Sequence, residues 1–233
     1  MKKKIFYLIF ILAFNGISYA QLPLTYGVRK TMDLYETNKL TSGDGTHVLT
    51  ENEIDGSPFL QDEFVSGSIY TAQKIHYIEV PLRYNIYNDN LEFKLPSDEI
   101  QALSAPEIVE KAIIGNIQLN YSPFLRANKI RHGFLILLEE GKASLYSKPV
   151  VAFKEATEPA AYKPAEPAKF VRKADEFYIR IGTEPAKLIT SKKDLVESFQ
   201  ENKEKLDDYI EKNRIKTNKS EDLRKVVVFY NSM

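Results

Sequence analysis

The feature that most restricts this chain is a two-residue alternation between positions 82 and 95. Leu82, Tyr84 and Ile86 fall on one parity, and Arg83, Asn85 and Tyr87 on the other. After Asn88-Asp89-Asn90, Leu91, Phe93 and Leu95 alternate with Glu92 and Lys94. Successive side chains of a strand point to opposite faces, so this pattern describes a half-buried antiparallel hairpin. A one-residue slip would turn the whole apolar set outward, which fixes the register. Asn and Asp tolerate the left-handed backbone that the intervening turn needs.

Strands over 66–72 and 75–80 precede this pair and complete a four-strand meander with 82–87 and 91–95. The segment 97–104 reads as a helical turn with Ser97 as N-cap. Further strands are expected over 112–121, 133–139, 142–147 and 150–154, the last after a kink at Pro149, which has no N–H for a ladder. A final hairpin is expected from 170–172 and 176–181, turning at Ala174-Asp175, with a short strand at Leu188 and Ile189. Between them, 155–169 carries Pro159, Pro164 and Pro167. These favour extended backbone, either an inter-domain linker or, better, a strap laid on the body and anchored by Tyr162.

The C-terminal region is helical. Ser191 with Asp194 three residues on has the form of a capping box. Leu195, Phe199, Leu206, Tyr209 and Ile210 then line one face, and Asn213 suits the C-terminal cap. Asn218 with Glu221 starts a second helix, with Leu223, Val226, Val227 and Tyr230 as its apolar stripe. The expected fold is α+β: an antiparallel meander or curved sheet, open or drawn into a partial barrel, followed by two C-terminal helices. The expected organisation is an N-terminal signal at 1–20, an irregular segment at 21–55, a β domain at 56–190 and a helical pair at 191–233 packed on the sheet. The two C-terminal helices are expected to cover the open side of the sheet or one edge, because a long exposed edge would invite aggregation.

The first 20 residues indicate export. Lys2, Lys3 and Lys4 precede an apolar run over 5–14, and Ser18 and Ala20 put small residues before a cut after Ala20. This is the layout of a secretory signal, and the run is too short for the roughly 20 residues of a membrane span. No other stretch approaches a transmembrane span. The mature chain is expected to be soluble, and periplasmic or envelope-associated. The whole chain balances 32 basic against 32 acidic side chains; without the three signal lysines the count is 29 against 32, a net of −3. That charge argues against nucleic acid as a partner. The chain has no Cys, so thiol catalysis, zinc–thiolate sites and iron–sulfur clusters are excluded and no disulfide supports the fold.

Linear motifs of catalysis are lacking. His47, His76 and His132 are isolated from one another, and there is no HExxH, GxSxG, phosphate loop or dinucleotide fingerprint. The acidic pairs Asp62-Glu63, Asp98-Glu99, Glu139-Glu140 and Asp207-Asp208 place neighbours on diverging faces and read as solvated surface. No catalytic residue, metal ligand or cofactor is nominated. Aromatic density is the remaining signal: there are 14 Tyr and 13 Phe with no Trp. Tyr70, Tyr77, Arg83, Tyr84 and Tyr87 are nominated as a partner-binding face, because Tyr offers apolar area with a polar tip.

Three blocks, GSPFLQDEF…GSIYT…VPLRYNIYNDNLEFKL over 56–95, PAEPAKFVRKADEFYIR over 164–180 and SKKDLVESF…KNRIK…EDLRKVVVFYN over 191–231, are similar to blocks in a family of uncharacterised exported proteins of Bacteroidota. The resemblance implies export and the order of the blocks; it carries no activity and no site. The expected role is a non-enzymatic cell-envelope protein that binds an envelope protein or small ligand through the Tyr-rich face. A carrier of an apolar molecule, in a cavity between sheet and helices, is the alternative, and a hydrolase without a linear motif is a third reading.

Overall fold

The computed structural model describes residues 28–30, 53–159 and 164–233. The strands are β1 (Val28–Lys30), β2 (Val65–Thr71), β3 (His76–Asn85), β4 (Asn90–Lys94), β5 (Ile100–Leu103), β6 (Val109–Ile114), β7 (Ile117–Arg126), β8 (Lys129–Glu139), β9 (Ala143–Lys148), β10 (Val151–Lys154), β11 (Lys169–Arg172), β12 (Glu176–Ile181) and β13 (Ala186–Ile189). Three helices follow: α1 (Lys192–Ser198), α2 (Lys203–Lys212) and α3 (Ser220–Asn231). The architecture is α+β, as the sequence indicates, with a partial barrel and helices after it.

Eleven strands form one sheet in the order β1-β5-β4-β3-β2-β6-β7-β13-β12-β9-β8, and β8 also pairs with β7. The last five therefore close on themselves. Each consecutive pair around this ring is antiparallel. Five is odd, so the closing pair must be parallel, and β13 does run parallel to β7, with Ala186 beside Phe124. From β7 the other strands extend as a wing, and β10 and β11 make a separate two-stranded ribbon.

Three apolar layers hold these parts together. The wing curls over Ile69, Leu82, Tyr84, Leu91, Phe93 and Ala112, closing against Leu119 and Phe134. The barrel interior draws on all five of its strands through Phe124, Leu135, Tyr146, Tyr178 and Ala186. The outer barrel wall meets the helices through Leu145, Ile179, Leu195, Leu206 and Val226, each at most 1 % exposed.

Several local readings are corrected. The strands expected at 75–80 and 82–87 are one strand, β3; Pro81 is accommodated because β4 pairing starts only at Leu82. The segment at 97–104 is not a helical turn. Asp98 adopts a left-handed φ of 64° in a tight turn, and β5 pairs with β4. The strand expected over 112–121 is two strands, folded at Gly115, whose φ is 58°. The expected hairpin of 170–172 with 176–181 does not form: β11 pairs with β10, and β12 with β9. The described ends of the proline-rich segment are extended and lengthen the ribbon through a Thr157–Glu166 bridge, while Ala168 O accepts from the Asp55 N–H; Tyr162 lies outside the described residues.

Ser191 caps α1 by accepting from the Asp194 N–H. The Asp194 carboxylate in turn accepts from the N–H and the hydroxyl of Thr190. The helix expected to run to Asn213 is broken after Phe199, where Asn202 takes a φ of 60°, so three helices replace two. Phe199 is fully buried there, its ring 4.6 Å from that of Tyr230. The N-cap of α3 is Lys219, without a side-chain cap, rather than Asn218.

The hairpin of Leu82–Asn85 with β4 is buried on both faces, not one, while β2 and the start of β3 keep one face open. Residues 53–64 cover the face that the sequence assigns to solvent: Leu60 N–H donates to Tyr84 O, and Ile86 N–H to Pro58 O. Leu34, Val48 and Leu49, the apolar residues of the irregular N-terminal segment, lie outside the described residues.

Candidate interaction surface

The five nominated residues do not share an open face. Arg83 is 8 % and Tyr84 1 % exposed. Arg83 donates through Nε to Glu92 Oε2 at 2.8 Å, and its guanidinium lies over the Phe59 ring. Asn85 Nδ2 donates to Glu92 Oε1, so this network is internally satisfied. Tyr84 OH donates to Asp89 Oδ1 at 2.6 Å, and burial together with the Asp89 charge raises its phenol well above the usual range. Tyr87 packs edge-on to Phe170, and Tyr77 packs against the wing core. Tyr70 lies edge-on to His76 and beneath Lys111 Nζ, and it is half-buried, as are Tyr77 and Tyr87. For Arg83 and Tyr84 the aromatic density marks packing.

The other candidate chemistry is similarly absorbed. Among the described residues, no three His, Asp or Glu side chains gather as a metal-binding group. His47 lies outside the described residues. Asp98, Glu139 and Asp207 from the acidic pairs form ion pairs with Lys94, Arg224 and Lys192. The layer between barrel and helices is filled by side chains. A groove of about 550 Å³ lies outside it instead, open along α2 and α3 beside Tyr209, Val228 and Phe229.

The arm formed by the turn end of β7 and β8 is different, because β13 pairs with its β7 side while its β8 side has no strand beside it among the described residues. Its two-residue turn, Ala127-Asn128, has φ of 50° and 59°, the double left-handed geometry that matches strand twist. Register runs without a break from Leu119↔Ile136 to Arg126↔Lys129. On the outer side, β9 pairs with β8 only from Ile136 onward. Among the described residues, no strand covers the outer edge of Lys129–Gly133.

The direction of the backbone groups along this edge follows from two contacts. Phe134 N–H donates to Asp89 Oδ1, and Lys148 Nζ donates to Phe134 O, so both polar groups of Phe134 point away from β7. Antiparallel ladders alternate, so those of His132 and Ile130 point the same way. Pro123, opposite His132, agrees: it has no N–H to offer in that pair. Asp89 and Lys148, ion-paired at 2.8 Å, thus end the open edge with side chains where a neighbouring strand would continue.

Lys129, Ile130, Arg131 and His132 are all exposed, Ile130 at 59 %. Strict alternation puts Ile130 and His132 on one face and Lys129 and Arg131 on the other. His132 stacks on Tyr121. Arg126, beside the turn, pairs with Glu176; no ion pair involves Lys129 or Arg131 among the described residues. The sequence signal for this edge was the run Arg126-Ala127-Asn128-Lys129-Ile130-Arg131-His132, basic around one isoleucine between two strands.

The described residues are β-rich, and none of their helices is long and apolar enough to cross a membrane. Comparison with protein-family models, with curated proteins and with solved structures returns no match for this chain.

Proposed function

We propose that this chain is an exported, non-enzymatic protein of the cell envelope that binds a protein partner through the open edge of β8. The observation that carries the reading is the exposed stretch Lys129–His132, which no strand pairs among the described residues, on a hairpin whose β7 side is held by β13 and whose open edge ends at Asp89 and Lys148. Strand edges are templates for a further chain, and globular proteins ordinarily pair, cover or shorten them. The lysine-rich start, the apolar run over 5–14 and the small residues before position 21 support export and periplasmic or envelope residence. The resemblance to exported Bacteroidota proteins supports the same compartment. Burial of Arg83 and Tyr84 moves the binding surface from the Tyr-rich face to the arm.

The test is photocrosslinking in the native envelope fraction, with a benzophenone amino acid in place of Ile130 and, as control, in place of Lys205 on the exposed side of α2. The reading expects a discrete protein adduct from position 130 and none from 205. No adduct from 130, or the same adduct from both, overturns it.

A further inference from the structure

Resting on that reading, we infer that the segment bound by this edge is an extended peptide that alternates acidic and apolar residues and adds to β8 as a strand. Two features of the edge set this chemistry. Its backbone groups at Ile130 and His132 face outward, so main-chain hydrogen bonds are available to a chain in β conformation. Its side chains divide by parity. A strand laid alongside meets Lys129 and Arg131 on one face, and Ile130 with His132 on the other, the latter backed by Tyr121. Cross-strand neighbours favour opposite charge beside the first pair and apolar contact beside the second. Because a strand alternates faces, both demands are met only by a peptide with acidic and apolar residues at every second position.

A second copy of the same edge is the wrong occupant. Antiparallel pairing of two β8 edges brings Lys129 and Arg131 of each copy opposite one another, and like charges directly opposed are destabilising. The same cations discourage edge-to-edge aggregation while leaving an acidic strand welcome.

The test uses the mature protein and three synthetic heptapeptides. The first has glutamate at four alternate positions and valine or threonine between. The second has the same composition in an order that breaks the alternation. The third has lysine for each glutamate. Binding is read by fluorescence anisotropy, and amide exchange by NMR. The expected result is that the alternating acidic peptide binds about tenfold or more tightly than either control, a preference that weakens with added salt. It slows exchange of the Ile130 and His132 amides, while Arg131, already bonded within the arm, changes little.

Ile130→Pro removes an outward N–H without touching the β7–β8 ladder and is expected to abolish binding. Lys129→Glu with Arg131→Glu is expected to reverse the preference toward the lysine peptide. Equal binding of the reordered peptide, protection elsewhere than the edge, or self-association through β8 overturns the inference. Amide exchange on the unmodified protein decides the matter even if the proline variant fails to fold. A crosslinked partner at position 130 with no preference among the peptides overturns the strand chemistry and leaves the partner reading standing. Selective peptide binding without an adduct in the envelope does the reverse.

Discussion

The β3–β4 hairpin of the wing and the helix-covered wall of the barrel both bury their strands on two faces, but by different means. The outer wall of the barrel is covered by α1, α2 and α3, through apolar contacts centred on Leu195, Leu206 and Val226. The second face of the wing is covered by residues 53–64, and what it buries is charged. Arg83 and Glu92 lie there at 8 % and 0 % exposure, with Asn85 completing the network. Arg83 stacks on Phe59 and donates to the Asp62 carbonyl, so the N-terminal segment holds the guanidinium from above. The difference teaches that a polar face is not an exposed one. When buried charges are paired and their hydrogen bonds met, the face closes as fully as an apolar one, at the expense of tolerating no unpaired member.

That distinction is broken most directly at Arg83. Arg83→Met leaves the Glu92 carboxylate buried without its cation, and the expected loss is about 3–5 kcal/mol in urea unfolding. Replacing both residues, Arg83→Met with Glu92→Met, is expected to recover most of this, because paired removal leaves no stranded charge. If the double variant is as unstable as the single one, stacking of Arg83 on Phe59, not charge pairing, holds the segment.

The junction between the two regions is next. A Cβ on Gly133 would lie 2.0 Å from Asp89 Oδ2 and 3.2 Å from Lys148 Nζ. Gly133→Ala therefore displaces Asp89 from Phe134 N–H and from Lys148, and about 2–3 kcal/mol is expected from loss of these contacts. The checking measurement is thermal unfolding of Gly133→Ala against Asp89→Asn. Should both melt as the unaltered protein does, the wing and barrel are joined by the apolar contacts of Tyr84 with Phe134 alone.

How much of this was legible depended on whether a residue's fate is settled by its neighbours in sequence. The alternation over 82–95 specifies β3 and β4 because the pattern itself states the register, and Leu82↔Phe93 and Tyr84↔Leu91 are the observed pairs. Ser191 fixes the start of α1 for the same reason. Segment 97–104 misled because Ser97 and its acids satisfy helix-start rules locally, while the pairing of Gln101 with Phe93 is a tertiary contact. Closure of the barrel rests on Ala186 reaching Phe124 across 62 residues, which no local pattern contains. The Tyr-rich face was read from aromatic density as display, whereas Tyr84 is buried and Tyr87 packs against Phe170. The edge at Lys129–Gly133 is defined by where β9 stops pairing, a property of the sheet and not of the run of residues.

The helix side of the comparison is sharpened at Asn231. Its side chain acts as a short piece of strand: Oδ1 accepts from Ala143 N–H at 2.8 Å, and Nδ2 donates to Ala143 O at 2.9 Å. Asn231→Ala removes both and is expected to cost about 1–2 kcal/mol, the value of two partly buried neutral hydrogen bonds. Amide exchange should locate the loss at Ala143 and the last turn of α3. A uniform loss across the protein instead shows that the helices and barrel unfold as one unit with no separable end.

The smallest effect is expected on the ribbon, which belongs to neither region. Glu166 accepts from Lys154 Nζ at 2.6 Å and Lys169 Nζ at 3.2 Å. These hydrogen bonds, and then the two ammonium charges, hold its carboxyl down to about 2 from an ordinary 4.5. A carboxylate whose folded value is depressed contributes fully above its unfolded value and loses that contribution as pH falls through the folded one. The Thr157–Glu166 bridge should therefore hold unchanged above about pH 4.5 and loosen between there and about pH 2. Because the group is exposed, salt should shrink the effect. Carbon-detected titration of the Glu166 carboxyl checks it: a midpoint near 4.5 in low salt means the two lysines do not hold the ribbon, and its pairing rests on the β10–β11 ladder alone.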